Sequence, residues 1–140
     1  MPPPAPDPVP GPSPEPLLAL GDETYVQLVT FRRSGTRVPS PVWVARDGDA
    51  LVVTTDGESG KVKRLAHDPR VELRPCTMRG RVDPAAPAVR ARARVLTPEE
   101  AGPSADAALA RKYGWRYRAI AVVERLRGRA PDRVLLRIER

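Results

Sequence analysis

Apolar and polar positions alternate through residues 25–31, YVQLVTF, and the residue types favour extended backbone, so a first strand is predicted there. RRSG follows and offers a tight turn with glycine at the position that needs positive φ. Residues 36–45, TRVPSPVWVA, continue as a second strand. Pro39 and Pro41 cannot donate to a ladder, which puts this strand at an edge or a bulge. RDGD at 46–49 is a second turn, and ALVVTT at 50–55 is apolar almost without a break, as expected of a strand buried on both faces. These three strands are expected to form a meander.

The period changes at Ser59. Ser59 is a good N-cap, and Val62, Leu65 and Ala66 fall at i, i+3 and i+4, which predicts one short helix ended by Asp68-Pro69. RVELRPC, 70–76, alternates as a fourth strand. Beyond the loop MRGRVDPAAP, residues 88–96 form a fifth, with Arg90, Arg92 and Arg94 on one face and Ala91, Ala93 and Val95 on the other. Thr97-Pro98-Glu99-Glu100 is a helix start with cap, proline and glutamate in order; the helix breaks at Gly102-Pro103 and resumes around Ala105. Residues 115–127 put Trp115, Ala119, Val122, Val123 and Leu126 on one stripe, with Gly128 as C-terminal cap. RVLLRIE, 133–139, is the sixth strand. Six short, mostly antiparallel strands with a few helices predict a mainly β (α+β) fold, a small barrel with helices packed outside.

A chain of 140 residues suits one domain. Residues 1–16 hold nine of its 18 prolines and too little apolar surface to fold, so 1–17 read as a disordered Pro-rich tail and 18–140 as the domain. The tail has neither the basic region nor the apolar core of a signal peptide, and no apolar run approaches the ~18 residues of a membrane span. Cys76 is the one cysteine, which rules out an intrachain disulfide and fits a cytoplasmic protein.

The net charge of +7 is localised. Between Lys61 and Arg94 there are ten cations against Asp68, Glu72 and Asp83, while the remainder of the chain is neutral. Such a surface points to a polyanionic partner: a phosphorylated cofactor, nucleic acid or anionic lipid. Lys61, Lys63 and Arg64 crowd the first turn of the short helix, where the macrodipole disfavours cations. An anion is expected beside them.

Most familiar chemistry is absent. One cysteine and one histidine, His67, cannot build a structural zinc site, and no metal site is expected. No Gly-x-Gly-x-x-Gly follows a strand, and GESGKV fails as a phosphate-binding P-loop because Thr55 replaces its first glycine and Val62 its magnesium ligand. Cys76 reads as a packed thiol, His67 as a helix-terminal residue, and Glu99-Glu100 as helix capping. What remains is the anion site: Ser59 and Gly60 begin the helix, and Lys61 and Arg64 lie one turn apart on one side.

VTFRRSGTRVPSPVWVARDGDALVVTT followed by SGKVKRLAHDPRVEL resembles the pyridoxamine 5′-phosphate oxidase-like split-barrel superfamily of flavin- and deazaflavin-dependent oxidoreductases. Within it, the sequence is similar to the branch that uses coenzyme F420. The pattern is Pro-Val-Trp in strand two, a Thr-rich end to strand three, and Ser-x-Lys-x-x-x-Leu before Pro-Arg-Val; it covers about residues 24–80, and later segments match more loosely. The resemblance implies a six-stranded split β-barrel of the FMN-binding kind and a homodimer with the cofactor in the groove between subunits. It assigns the cofactor phosphate to Ser59, Gly60, Lys61, Lys63 and Arg64, with Thr54 and Thr55 nearby, and lays Pro41, Val42 and Trp43 along the ring system. Arg90, Arg92 and Arg94 match no motif of the family. The implied activity is hydride transfer between reduced F420 and a small organic substrate, with an FMN-binding oxidoreductase as the alternative. A non-catalytic nucleic-acid-binding barrel is a second alternative, disfavoured because no aromatic residues interleave with the Arg-rich strand.

Overall fold

The computed structural model describes residues 15–126 and 133–140. The tail proper, residues 1–14, and the cap expected at Gly128 lie outside them. A short helix α1 (Glu15–Ala19) and a 3-10 turn (Leu20–Asp22) precede the strands β1 (Val26–Phe31), β2 (Arg37–Val42), β3 (Ala45–Asp47) and β4 (Ala50–Asp56). Helix α2 (Gly60–Leu65) leads to β5 (Arg70–Pro75) and β6 (Val89–Leu96). Helices α3 (Pro98–Ala101), α4 (Pro103–Tyr113) and α5 (Trp115–Leu126) precede β7 (Arg133–Glu139).

The strands make one antiparallel sheet in the order β2-β1-β5-β6-β7-β4-β3. Its two edge strands, β2 and β3, are separated in the chain by Trp43 and Val44 alone, so the edges must meet and the sheet must curl. The result is the expected split barrel, with seven strands rather than six. The predicted second strand is cut in two because its first half pairs with β1 and its last residues pair with β4. The meander is thereby opened: β1 and β4 lie next to the opposite edges of the sheet, with β5, β6 and β7 between them. Pro39 and Pro41 lie in the edge strand β2, where their missing N–H groups cost nothing.

The inward side chains alternate as the sequence suggests. Val26, Leu28, Leu51, Val53, Val71, Leu73, Ala91, Ala93, Leu136 and Ile138 fill the barrel, and Leu65 of α2 packs into it. Leu17, expected in the tail, is 1% exposed in this core together with Leu18 and Leu20, so the packed chain starts in α1. β4 is buried on both faces because Val52 points outward beneath α4, where Ala45, Ala105, Ala108, Leu109, Tyr113 and Leu135 form a second core. Thr97 and Glu100 make the reciprocal capping box of α3, and Gly102 (φ 78°) and Gly114 (φ 59°) supply the backbone reversals that separate α3, α4 and α5. The stripe expected on α5 turns away from the core: Trp115 is 74% and Leu126 82% exposed, with Val122 and Val123 also exposed. Among the described residues no helix is long and apolar enough to cross a membrane.

The barrel corner is pinned by α4. The Tyr113 hydroxyl accepts the Val44 N–H at 2.8 Å and lies 2.8 Å and 2.9 Å from the carbonyls of Thr24 and Val44, while Lys112 Nζ donates to the carbonyls of Gly21, Glu23 and Val44. Burial holds the Tyr113 phenol at about 12, above its ordinary 10. Unfolding therefore releases a more acidic phenol, and stability is full below pH 10 and falls between 10 and about 12. Tyr113→Phe strands the buried Val44 N–H and is expected to cost about 1–3 kcal/mol in urea unfolding, with the alkaline decline reduced.

Candidate functional site

Where β2 parts from β4 the sheet has a seam. β3 pairs with β4 only as far as Val52, so Thr54 and Thr55 face a gap whose other bank is the end of β2. A cleft of about 210 Å³ lies there, lined by Pro41, Val42, Trp43, Thr54, Thr55, Lys61, Ile120 and Arg133. Six sequence-identified residues thus share one cavity. Trp43 is held flat against Tyr113, with ring centroids 4.4 Å apart and planes 6° from parallel, so the same tyrosine pins the backbone and the indole.

Helix α2 begins at the mouth of this cleft. Ser59 caps it, its Oγ accepting the Val62 N–H at 3.4 Å, and Thr55 Oγ1 lies 3.4 Å from the same oxygen. Lys61 Nζ donates to Ser40 Oγ at 3.2 Å, and Arg64 Nε donates to the fully buried Thr30 Oγ1 at 2.6 Å. Burial lowers the Lys61 pKa below its ordinary 10.5 and the neighbouring Arg64 lowers it further; Arg64 is itself lowered by burial and by Arg32. None of Arg32, Lys61 and Arg64 has a carboxylate partner among the described residues. Partly desolvated, mutually repelling cations would be stabilised by a nearby anion.

Gly60 makes this arrangement possible. A Cβ added there would stand 2.6 Å from Arg64 Nη1, so the guanidinium occupies the space that a side chain would take. Lys63 is exposed on the far side of α2, and neither it nor Ser59, Gly60 or Arg64 lines the cleft itself. Sequence reasoning did not single out Thr30, Ser40, Ile120 or Arg133. Arg133 comes from the last strand and donates to Thr54 Oγ1 at 3.0 Å, a pairing between residues 79 positions apart that no local pattern signals. Thr54 and Arg133 also border a second cavity of about 450 Å³, walled by Asp106, Ala110, Tyr117, Val122 and Leu135. Tyr117 donates its hydroxyl proton to Asp106 there, and burial followed by that carboxylate raises its pKa.

The sequence pattern of pyridoxamine 5′-phosphate oxidase matches residues 16–139. This chain belongs to that family. No curated protein matches it by sequence. Among solved structures it is similar to a conserved hypothetical protein from Mycobacterium tuberculosis, at 19% identity and a TM-score of 0.61, covering 89% of this chain and 78% of that one. HutZ, the heme storage protein from Vibrio cholerae, is similar at 16% identity and a TM-score of 0.58, covering 91% and 88%. A heme-binding protein from Mycobacterium smegmatis matches at 21% identity and a TM-score of 0.52, covering 92% of this chain and 52% of that one. At these identities the likeness establishes the fold. The pyridoxamine 5′-phosphate oxidase family is of flavin and deazaflavin type, and the cleft of this member, with cations at its mouth and an indole along its wall, suits such a cofactor.

Gly60→Ala tests the cradle. The methyl would displace only the far end of Arg64, so the melting temperature should hold while affinity for a phosphorylated ligand falls, read by calorimetric titration. Unaltered affinity would remove Arg64 from the site.

Proposed function

We propose that this protein is an F420-dependent oxidoreductase acting as a homodimer on a small organic substrate. The observation that carries the reading is that Lys61 and Arg64, with no carboxylate partner among the described residues, stand beside a cleft walled by Trp43, Thr54 and Thr55. Lys61 and Arg64 would hold the cofactor phosphate by charge-assisted hydrogen bonds, and Ser40 and Thr30 keep both side chains in position. Trp43, fixed by Tyr113, supplies a rigid apolar wall for the ring system, and Pro41, Val42, Thr54 and Thr55 border it. When bound, the deazaflavin supplies hydride chemistry, so the chain itself needs no nucleophile or acid/base pair in the cleft. The cavity beside Tyr117 and Asp106 offers space for a substrate next to Thr54 and Arg133.

FMN presents a phosphate to the same cations and remains the second reading. Haem is less suited, because no histidine, cysteine or methionine lines the cleft. The homodimer is supported by α5, whose exposed Trp115, Val122, Val123 and Leu126 form one apolar face turned away from the core.

Side-by-side titration of the apoprotein with F420 and FMN decides the cofactor. Tight F420 binding with little FMN binding is expected, and the reverse preference would carry the same site to flavin chemistry. Lys61→Ala or Arg64→Ala should weaken F420 by about 1.5–3 kcal/mol; no change in either would move the phosphate elsewhere. Because an anion favours protonated Lys61, affinity should decline as pH rises through its lowered pKa, beginning below 10.5, and Lys61→Arg should abolish that decline. Leu126→Glu with Val122→Glu should yield a monomer in sedimentation analysis, and an unchanged dimer would locate the interface on another face.

A further inference from the structure

Only part of the basic segment serves the cleft. Arg70, Arg90 and Arg92 stand on the outer face of β5 and β6, while the inward neighbours Val71, Ala91 and Ala93 belong to the barrel core. Lys61 and Arg64 instead reach Ser40 and Thr30 at the barrel's mouth. The two groups of cations are therefore separate sites.

The outer group surrounds a cavity of about 460 Å³ bordered by Phe31, Arg70, Glu72, Arg90, Arg92 and Arg140. That volume falls in the range of small-molecule sites. Cross-strand register puts Arg70 directly opposite Arg92 and Glu72 opposite Arg90. Glu72, the carboxylate in the wall, is taken by Arg37 from β2, and Arg70 is held by Asp68 at 2.9 Å while its guanidinium lies 5.3 Å from the centre of the Phe31 ring. Arg90 and Arg92 have no hydrogen-bond or ion-pair partner among the described residues. Glu139 of β7, directly opposite Arg92 on its other side, is shared by Arg94 and Arg137, so the arginine-rich face keeps its carboxylates engaged elsewhere and is complementary to more than one negative charge.

The shape narrows the ligand. A flat basic sheet would track the backbone of a polymer, whereas this cavity sets the outward arginines beside the half-buried Phe31 ring. We propose that it binds a nucleoside diphosphate or triphosphate, with Arg90 and Arg92 on the phosphates and the Phe31 ring against the base. The site is independent of the cofactor reading, since it shares no residue with the cleft.

The test is calorimetric titration of the full chain with ADP, inorganic pyrophosphate and a single-stranded oligonucleotide, at low and raised salt. ADP should bind more tightly than pyrophosphate, and Arg90→Ala and Arg92→Ala should each weaken ADP by about tenfold or more. Phe31→Ala should remove the advantage of ADP over pyrophosphate, and Lys61→Ala should leave ADP binding unchanged. Circular dichroism checks the fold of each variant, and Arg92→Lys, which keeps the charge but loses the fork, should fall between wild type and Arg92→Ala. No ADP binding, equal affinity for ADP and pyrophosphate, or loss in Lys61→Ala with retention in Arg92→Ala would overturn the assignment. Steeply salt-dependent oligonucleotide binding without ADP binding would also overturn it and make the face a nucleic-acid surface.

Discussion

The corner at Trp43 and Val44 is the constraint on which the architecture depends. Two residues join the opposite edges of a seven-stranded sheet, so a sheet that would otherwise twist open is compelled to close on itself. Closure gives Leu28, Leu51, Leu73, Leu136 and Ile138 an interior to fill, and it leaves a seam between β2 and β4 where the edge is open. Lys112 and Tyr113 fix the corner by gathering carbonyls from the 3-10 turn, the approach to β1 and Val44 itself. The stack of Tyr113 on Trp43 then couples the closure of the barrel to the wall of the cleft. Stability and site geometry rest here on the same side chains.

The strands were legible because their periodicity answers to local burial. β1, β5 and β6 alternate against a single core, and β4 is apolar throughout because α4 covers its outer face. The division of the second strand was not legible: residues 37–47 read as one β-prone run while their partner changes from β1 to β4, and periodicity reports faces, not neighbours. Leu17 was misjudged for a related reason. Nine prolines dominate the composition of the first residues, but α1 begins within that stretch and its leucines reach the core.

For the candidate site, local motif and long-range geometry divide the information. Pro41, Val42, Trp43, Thr54, Thr55 and Lys61 could be named in advance because they sit in short recognisable segments; the fold brings these segments to one cleft. Thr30, Ser40 and Arg133 could not, since each meets its partner through sheet pairing or helix docking over 20 or more positions. Charge was equally ambiguous in one dimension. Lys61 to Arg94 is a single basic run in sequence, yet alternation across β5 and β6 sends its arginines outward while α2 turns its own cations to the barrel's mouth. One segment supplies two surfaces.

Helix α2 carries Lys61 near its start without an acidic residue beside it, against the preference of the helix dipole. Lys61 and Arg64 are partly desolvated and repel one another, and Lys61 near the start of α2 also opposes the helix dipole, whereas Lys63 and Arg64 fall in its last turn, where the dipole favours cations, and not in the first turn as expected from the sequence. An anion between Lys61 and Arg64 would offset the repulsion and the desolvation, and on the proposed reading stability would rise with ligand concentration by linkage. A first turn built for stability alone would carry acidic residues; α2 has none there and places Lys61 instead, which is the arrangement expected where an external anion, rather than a side chain, supplies the negative charge.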